Sequence, residues 1–177
     1  MRVAIFLRAI NTGDRRVTNA ELIECLGGAD LTEVSAFQAA GNLLATAFDG
    51  EDVASIVARV ESSISETFGF ESEAFVRTAA QLTETVDSVP FSDVQIEATE
   101  GRVQVTFLRE RSTVATKSSV GELVPDDDLV HVGDDVWYWL PRTKISESTL
   151  KVGAIERILG PMTMRTLATV EKVLARL

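Results

Sequence analysis

Apolar positions along the chain fall into short runs whose spacing predicts alternating strands and helices. Val3-Ala4-Ile5-Phe6-Leu7 is a continuous apolar run, the pattern of a central strand buried on both faces. Turn formers fill residues 8–14. Thr18-Asn19-Ala20-Glu21 then predicts a capping box, in which the Thr hydroxyl and the Glu carboxylate each take a helix-end N–H. The helix it opens stops at Gly27-Gly28. Residues 34–38 and 43–48 flank Ala39-Ala40-Gly41-Asn42, which predicts a hairpin whose Gly and Asn supply left-handed backbone. Val53, Ile56, Val57, Val60, Ile64 and Phe68 mark one face of a helix ended by Gly69. Residues 73–77 read as a strand, and Thr78 to Gln81 caps a helix carrying Leu82, Val86 and Val89. The order is β-α-β-β-α-β, the split β-α-β or ferredoxin-like pattern.

The second half echoes the first. Val94, Ile96 and Ala98 alternate as in a strand, as do Val103, Val105 and Phe107 after a turn at Thr99-Glu100-Gly101. A short helix is expected over 113–123. Residues 129–132 and 136–140 flank Gly133-Asp134, a hairpin signal resting on the positive φ that Gly tolerates. Pro141 closes that strand, and helices are expected over 149–159 and 165–177. Phe6-Leu7-Arg8 and Phe107-Leu108-Arg109 end the first strong strand of each half. The expected fold is α+β, two similar ferredoxin-like halves packed together, residues 1–88 and 89–177.

Composition narrows the function classes. With 45% hydrophobic and 25% charged residues the chain is neither disordered nor fibrous. Lys plus Arg is 17 against 27 Asp plus Glu, a net charge of −10. Nucleic-acid binding needs clustered cations, and the only adjacent pair is Arg15-Arg16, so no nucleic-acid partner is expected. No apolar stretch is long enough to span a bilayer, and the opening run is too short for a signal peptide. One cysteine, Cys25, excludes an internal disulfide and places the protein in a reducing cytoplasm. Its setting in Leu22-Ile23-x-x-Leu26 makes it a small core residue.

Candidate chemistry is sparse. His131 is the only histidine, so sites of several His or Cys are excluded, and no metal is expected. The run Asp126-Asp127-Asp128 lacks the spacing of a calcium loop and reads as a solvated turn. Trp137 and Trp139 share a strand face and read as core. Two loops stand out. Arg8, Asn11 and Gly13 follow the first strand, and Gln38, Gly41 and Asn42 form the neighbouring hairpin bend. Arg offers a planar cationic fork, Asn and Gln paired donors and acceptors, and a strand running into a helix N-terminus presents backbone N–H groups suited to an anion.

These same positions carry a family resemblance. Leu7-Arg8-Ala9-Ile10-Asn11-Thr12-Gly13-Asp14 and Ala36-Phe37-Gln38-Ala39-Ala40-Gly41-Asn42 resemble the opening blocks of a bacterial family, domain of unknown function 1697. Phe68-Gly69-Phe70, Val76-Arg77-Thr78 and Val105-Thr106-Phe107-Leu108 fit further blocks, so the likeness spans nearly the whole chain. Towards the C-terminus Arg165 matches the family pattern. Its usual Asn-Trp is replaced by Thr166-Leu167, and the Lys of its Ser-Lys-Leu by Thr149. The resemblance implies two ferredoxin-like halves and carries over no catalytic residue or cofactor.

The leading expectation is a cytoplasmic module that holds a small anionic or nucleotide-like ligand in a crevice between the halves. Arg8, Asn11, Gly13, Gln38, Gly41, Asn42, Arg165 and Thr169 would line it. A homodimer or protein-interaction scaffold using open sheet edges is the alternative. A transferase- or hydrolase-type enzyme comes third, because Thr169 or Ser148 would need a base placed beside it by folding.

Overall fold

The computed structural model describes residues 1–38, 41–126 and 128–177, and it divides into two units, Met1–Glu84 with Glu171–Leu177, and Thr85–Val170. The N-terminal unit runs β1 (Arg2–Leu7), α1 (Asn19–Gly27), β2 (Thr32–Ala36), β3 (Asn42–Thr46), α2 (Val53–Phe68) and β4 (Ala74–Thr78), followed by α3 (Ala79–Asp87). Its four strands form one antiparallel sheet in the order β2-β3-β1-β4. The second stretch runs α4 (Asp93–Ala98), β5 (Gln104–Leu108), α5 (Val114–Gly121), β6 (Leu129–Val132), β7 (Val136–Leu140), α6 (Val152–Leu159), β8 (Met162–Thr166) and α7 (Leu167–Leu174). Its sheet is antiparallel in the matching order β6-β7-β5-β8. The fold is therefore α+β with two similar halves.

The repeat extends to individual hydrogen bonds. Leu7 N–H donates to Gly41 O at 2.8 Å, and Leu108 N–H to Asp135 O at 2.9 Å. Arg8 N–H donates to Glu73 O at 2.9 Å, and Arg109 N–H to Pro161 O at 3.1 Å. Ala4 pairs with Arg77 across the first sheet as Val105 pairs with Arg165 across the second. The shared Phe-Leu-Arg thus marks equivalent strand ends.

The local signals explain the elements. Thr18 and Glu21 form the capping box of α1, with Thr18 N–H donating to Glu21 Oε2 at 2.7 Å. Those bonds hold the Glu21 carboxyl below its usual pKa, as Ser55 does for Asp52 at the start of α2. The N-terminal core packs Val3, Ile5 and Leu7 of β1 against Leu22 and Leu26 of α1 and Ile56, Val60 and Ile64 of α2. Each of these fully buried side chains contributes about 1.5–3 kcal/mol. Cys25 lies in the same core, its thiol donating to Ser63 O at 3.4 Å.

Four local expectations are corrected. Residues 94–98 are helix, because Ser92 and Gln95 form a capping box and Val94 points into solvent instead of into a sheet. Residues 162–166 are a strand, so the last helix begins at Leu167 and Arg165 lies in β8. In the first hairpin Gln38 (φ 58°) and Gly41 (φ 99°) take the left-handed backbone, while Asn42 is the paired first residue of β3. Ala39 and Ala40 lie outside the described residues. In the second hairpin Gly133 is needed for closeness, not for positive φ: a Cβ there would sit 2.9 Å from Val136 O.

The C-terminal core gathers Leu108, Val120, Trp137, Trp139, Ile155, Leu159 and Met162. Within it, among the described residues, the Thr106 hydroxyl and the Trp139 indole N–H are buried with no hydrogen-bond partner. An unmet buried hydroxyl carries its desolvation cost in full, and valine has the same shape without it. Thr106→Val should therefore raise stability by about 1 kcal/mol, read as a higher urea midpoint at unchanged slope. A lower midpoint would show that the hydroxyl is satisfied in solution.

Candidate functional site

Arg8 leaves the end of β1 with its main chain fixed on both sides. Its N–H bonds Glu73 O, and its carbonyl accepts from Ser72 Oγ at 2.7 Å. Its guanidinium is ion-paired to the Glu73 carboxylate, with both side chains about one-third exposed, 36% each. At that exposure the pair is screened by water and is open to competition from another anion. Gly41 and Asn42 meet this strand end. Gly41 O accepts from Leu7 N–H, and Asn42 stands opposite Phe6 with its side chain buried, donating to Phe37 O at 3.4 Å. Gln38 is exposed, and its carbonyl accepts from Asn19 Nδ2 at 3.0 Å.

Asn11 has a bracing role. Its Nδ2 donates to Val17 O at 3.0 Å while its Oδ1 accepts from Val17 N–H at 2.6 Å, closing the loop between β1 and α1. Gly13, at φ 60°, offers its carbonyl to Arg16 Nη1 at 2.8 Å. The first turn of α1 already carries an acid of its own, the Glu21 carboxylate of the capping box.

In the C-terminal unit, Arg165 projects from β8. Its Nη1 donates to Thr163 Oγ1 and to Met164 O, both at 2.8 Å. Burial lowers its pKa to about 10, so the half-buried guanidinium is still a cation at neutral pH. Thr169 lies in the first turn of α7, its N–H 3.2 Å and its hydroxyl 2.8 Å from Thr166 Oγ1. Sequence reasoning passed over Arg77, which holds the register of Arg165 in the other sheet and donates Nη1 to Val76 O at 2.9 Å. The signal was present: Arg-Thr ends both β4 and β8, and each Thr caps the helix that follows.

The other candidates are tied into structure. His131 is exposed on β6, its ring 6.5 Å from that of Tyr138. Ser148 donates to Asp128 Oδ2 at 2.7 Å and accepts from Leu150 N–H at 3.0 Å, while Asp128 Oδ1 accepts from Arg142 N–H at 3.2 Å. That arrangement braces two loops. Asp127 lies outside the described residues. Asp134 accepts from Lys117 Nζ at 2.8 Å and Arg111 Nη2 at 2.5 Å, and these cations hold its carboxyl below the usual range. Trp137 and Trp139 are buried, their rings stacked at 6.5 Å. Among the described residues no group of three or more His, Cys, Asp or Glu is arranged to hold a metal, and no helix is long and apolar enough to cross a membrane.

The Leu7-to-Asp14 loop and Gly41, which meets the end of β1, lie in a stretch recognised by a family description. "Protein of unknown function (DUF1697)" matches residues 1–138. The chain belongs to the DUF1697 family. Arg8, Asn11, Gly13, Gln38, Gly41 and Asn42 lie inside the matched DUF1697 region, whereas Arg165 and Thr169 lie beyond it. No curated protein matches the chain. Among solved structures it is similar to the conserved bacterial protein SP0830 from Streptococcus pneumoniae, at 20% identity and a TM-score of 0.77, covering 99% of this chain and 97% of that one. That likeness shows that the DUF1697 chain and SP0830 share a fold.

Proposed function

We propose that the protein is a binding module for a small anionic or nucleotide-like molecule, with the guanidinium groups of Arg8 and Arg165, each within its own unit, as the candidate anion contacts. The observation that carries this reading is the setting of Arg165. Its fork is anchored by Thr163 and Met164 and is half-buried, so it is oriented before a ligand arrives and loses little side-chain freedom on binding. Low solvation also strengthens its attraction for an anion. A chain of net charge −10 draws anions poorly at long range, so selectivity comes from such local contacts. A reducing, cytoplasmic setting belongs to the same reading, supported by the single buried thiol of Cys25.

The test is a thermal-shift screen of nucleotides and phosphorylated metabolites against wild type, Arg8→Ala and Arg165→Ala. A true ligand at about 100 Kd stabilises wild type by roughly 2.7 kcal/mol. The expected result is a shift of several degrees for wild type that falls in the variant lacking the arginine that meets the ligand. Equal shifts in all three proteins would reject both arginines as ligand contacts.

A further inference from the structure

In the C-terminal unit two opposite charges line one pocket and do not pair. The pocket, of about 280 Å³, lies against the end of α4 and the β6–β7 hairpin. Ala98, Leu129 and Leu140 give it an apolar side; Leu129 is 37% exposed and stands opposite the buried Leu140 in the ladder. Asp126 and Arg142 supply a carboxylate and a guanidinium. Both residues are exposed, and among the described residues neither of these side chains meets an ion-pair or hydrogen-bond partner. Exposed groups of opposite charge pair when they come within about 4 Å. These two therefore stand farther apart, with the pocket between them.

Their main chains are held. Arg142 follows the buried Pro141, and its N–H donates to Asp128 Oδ1 at 3.2 Å. Asp128 N–H donates to Pro125 O at 3.1 Å, which keeps Asp126 in a turn. The other polar groups on the wall are half committed. Gln95 Oε1 accepts from Ser92 N–H at 2.9 Å, which leaves the Gln95 amide nitrogen as a donor. The buried Thr99 hydroxyl donates to Ile96 O at 3.0 Å, which leaves its lone pairs as acceptors. The wall thus offers donors at Arg142 and Gln95, acceptors at Asp126 and Thr99, and an apolar side.

We propose that this pocket binds a free α-amino acid with an apolar side chain. Arg142 takes the carboxylate in its fork, Asp126 takes the ammonium, and Ala98, Leu129 and Leu140 cover the side chain. The paired charges select this class. A lone anion would be repelled by Asp126, and a lone cation by Arg142. A zwitterion satisfies both and bridges two groups that do not reach each other. Size agrees: clefts for drug-sized ligands run to roughly 300–1,000 Å³, and this pocket falls just below that range. No segment of a protein chain carries an ammonium and a carboxylate on one α-carbon, which separates a free amino acid from a docked partner or a second copy. The site uses neither Arg8 nor Arg165, so it stands or falls apart from the anion reading.

The test is an amide NMR titration of the isotope-labelled full chain with L-leucine, L-methionine, L-phenylalanine and glycine. At least one of the three apolar amino acids should shift the amides of Ala98, Leu129 and Arg142. It should bind at least roughly tenfold more tightly than glycine, which lacks the side chain. Two analogues of the tightest binder each remove one charge: its carboxamide, and the acid without the amino group. Each should bind at least about tenfold more weakly than the parent. Arg142→Gln should erase the preference for the parent over the carboxamide and keep the preference over the deaminated acid. Asp126→Asn should do the reverse. Both positions are exposed, so neither substitution threatens the fold. No shift of these amides at millimolar amino acid would overturn the proposal. So would binding by glycine, carboxamide or deaminated acid as tight as by the parent, or preferences unchanged in either variant.

Discussion

Trp137→Ala should lower stability by about 3–5 kcal/mol, the largest loss expected from one substitution in this protein. The indole is fully buried in β7, lies against Trp139 at 6.5 Å, and donates from Nε1 to Met162 Sδ at 3.3 Å. Truncation removes that contact area, leaves a cavity that Leu108, Ile155 and Leu159 cannot fill from their backbones, and deprives the Met162 sulfur of its donor. Trp137→Phe keeps most of the volume and should cost about 1–2 kcal/mol. Urea unfolding followed by far-UV circular dichroism measures both. A loss under about 1 kcal/mol for the alanine variant would mean that the indole is dispensable to the core.

Gly41→Ala should cost about 2–3 kcal/mol, and Gly13→Ala about 1 kcal/mol. Both glycines have positive φ, 99° and 60°, but only the first is crowded. A Cβ at Gly41 would sit 3.3 Å from Leu7 O and 3.6 Å from Ile10 Cγ2, whereas at Gly13 nothing lies within 4 Å. The difference between the two variants therefore isolates the close approach of the hairpin bend to the end of β1. Equal losses, measured by the same unfolding assay, would show that backbone strain alone accounts for Gly41. Because Gly41 and Arg8 share that strand end, the substitution also perturbs the proposed anion contact.

Local chemistry made most of the fold legible. The apolar run of β1, the capping box at Thr18 and Glu21, and the stripe of Ile56, Val60 and Ile64 in α2 are decided within a few residues, and the structure holds them as read. Failures arose where two local signals competed or where neither was strong. Val94, Ile96 and Ala98 alternate, yet the Ser92–Gln95 box made them helix with Val94 outside. Met162-Thr163-Met164-Arg165 alternates over only four residues and runs straight into the helical stripe of Leu167, Val170 and Leu174, so its strand is decided by pairing with β5. The site was harder to read for the same reason. Arg8 and Glu73 are 65 residues apart, so their ion pair exists only after β1 and β4 align. Asn11 has the composition of a binding residue, but its two bonds to Val17 are set by the path of the loop.

The division of the chain at Glu84 and Val170 also sorts its two spectroscopic handles. The sole thiol, Cys25, is buried between α1 and α2 in the first unit, and both indoles are buried in the second. Thiol-trapping kinetics would therefore time the opening of one half, while tryptophan emission in the same sample reports the other. Coincident curves would mean that the duplicated halves melt as one cooperative block, and separated curves would date which copy gives way first.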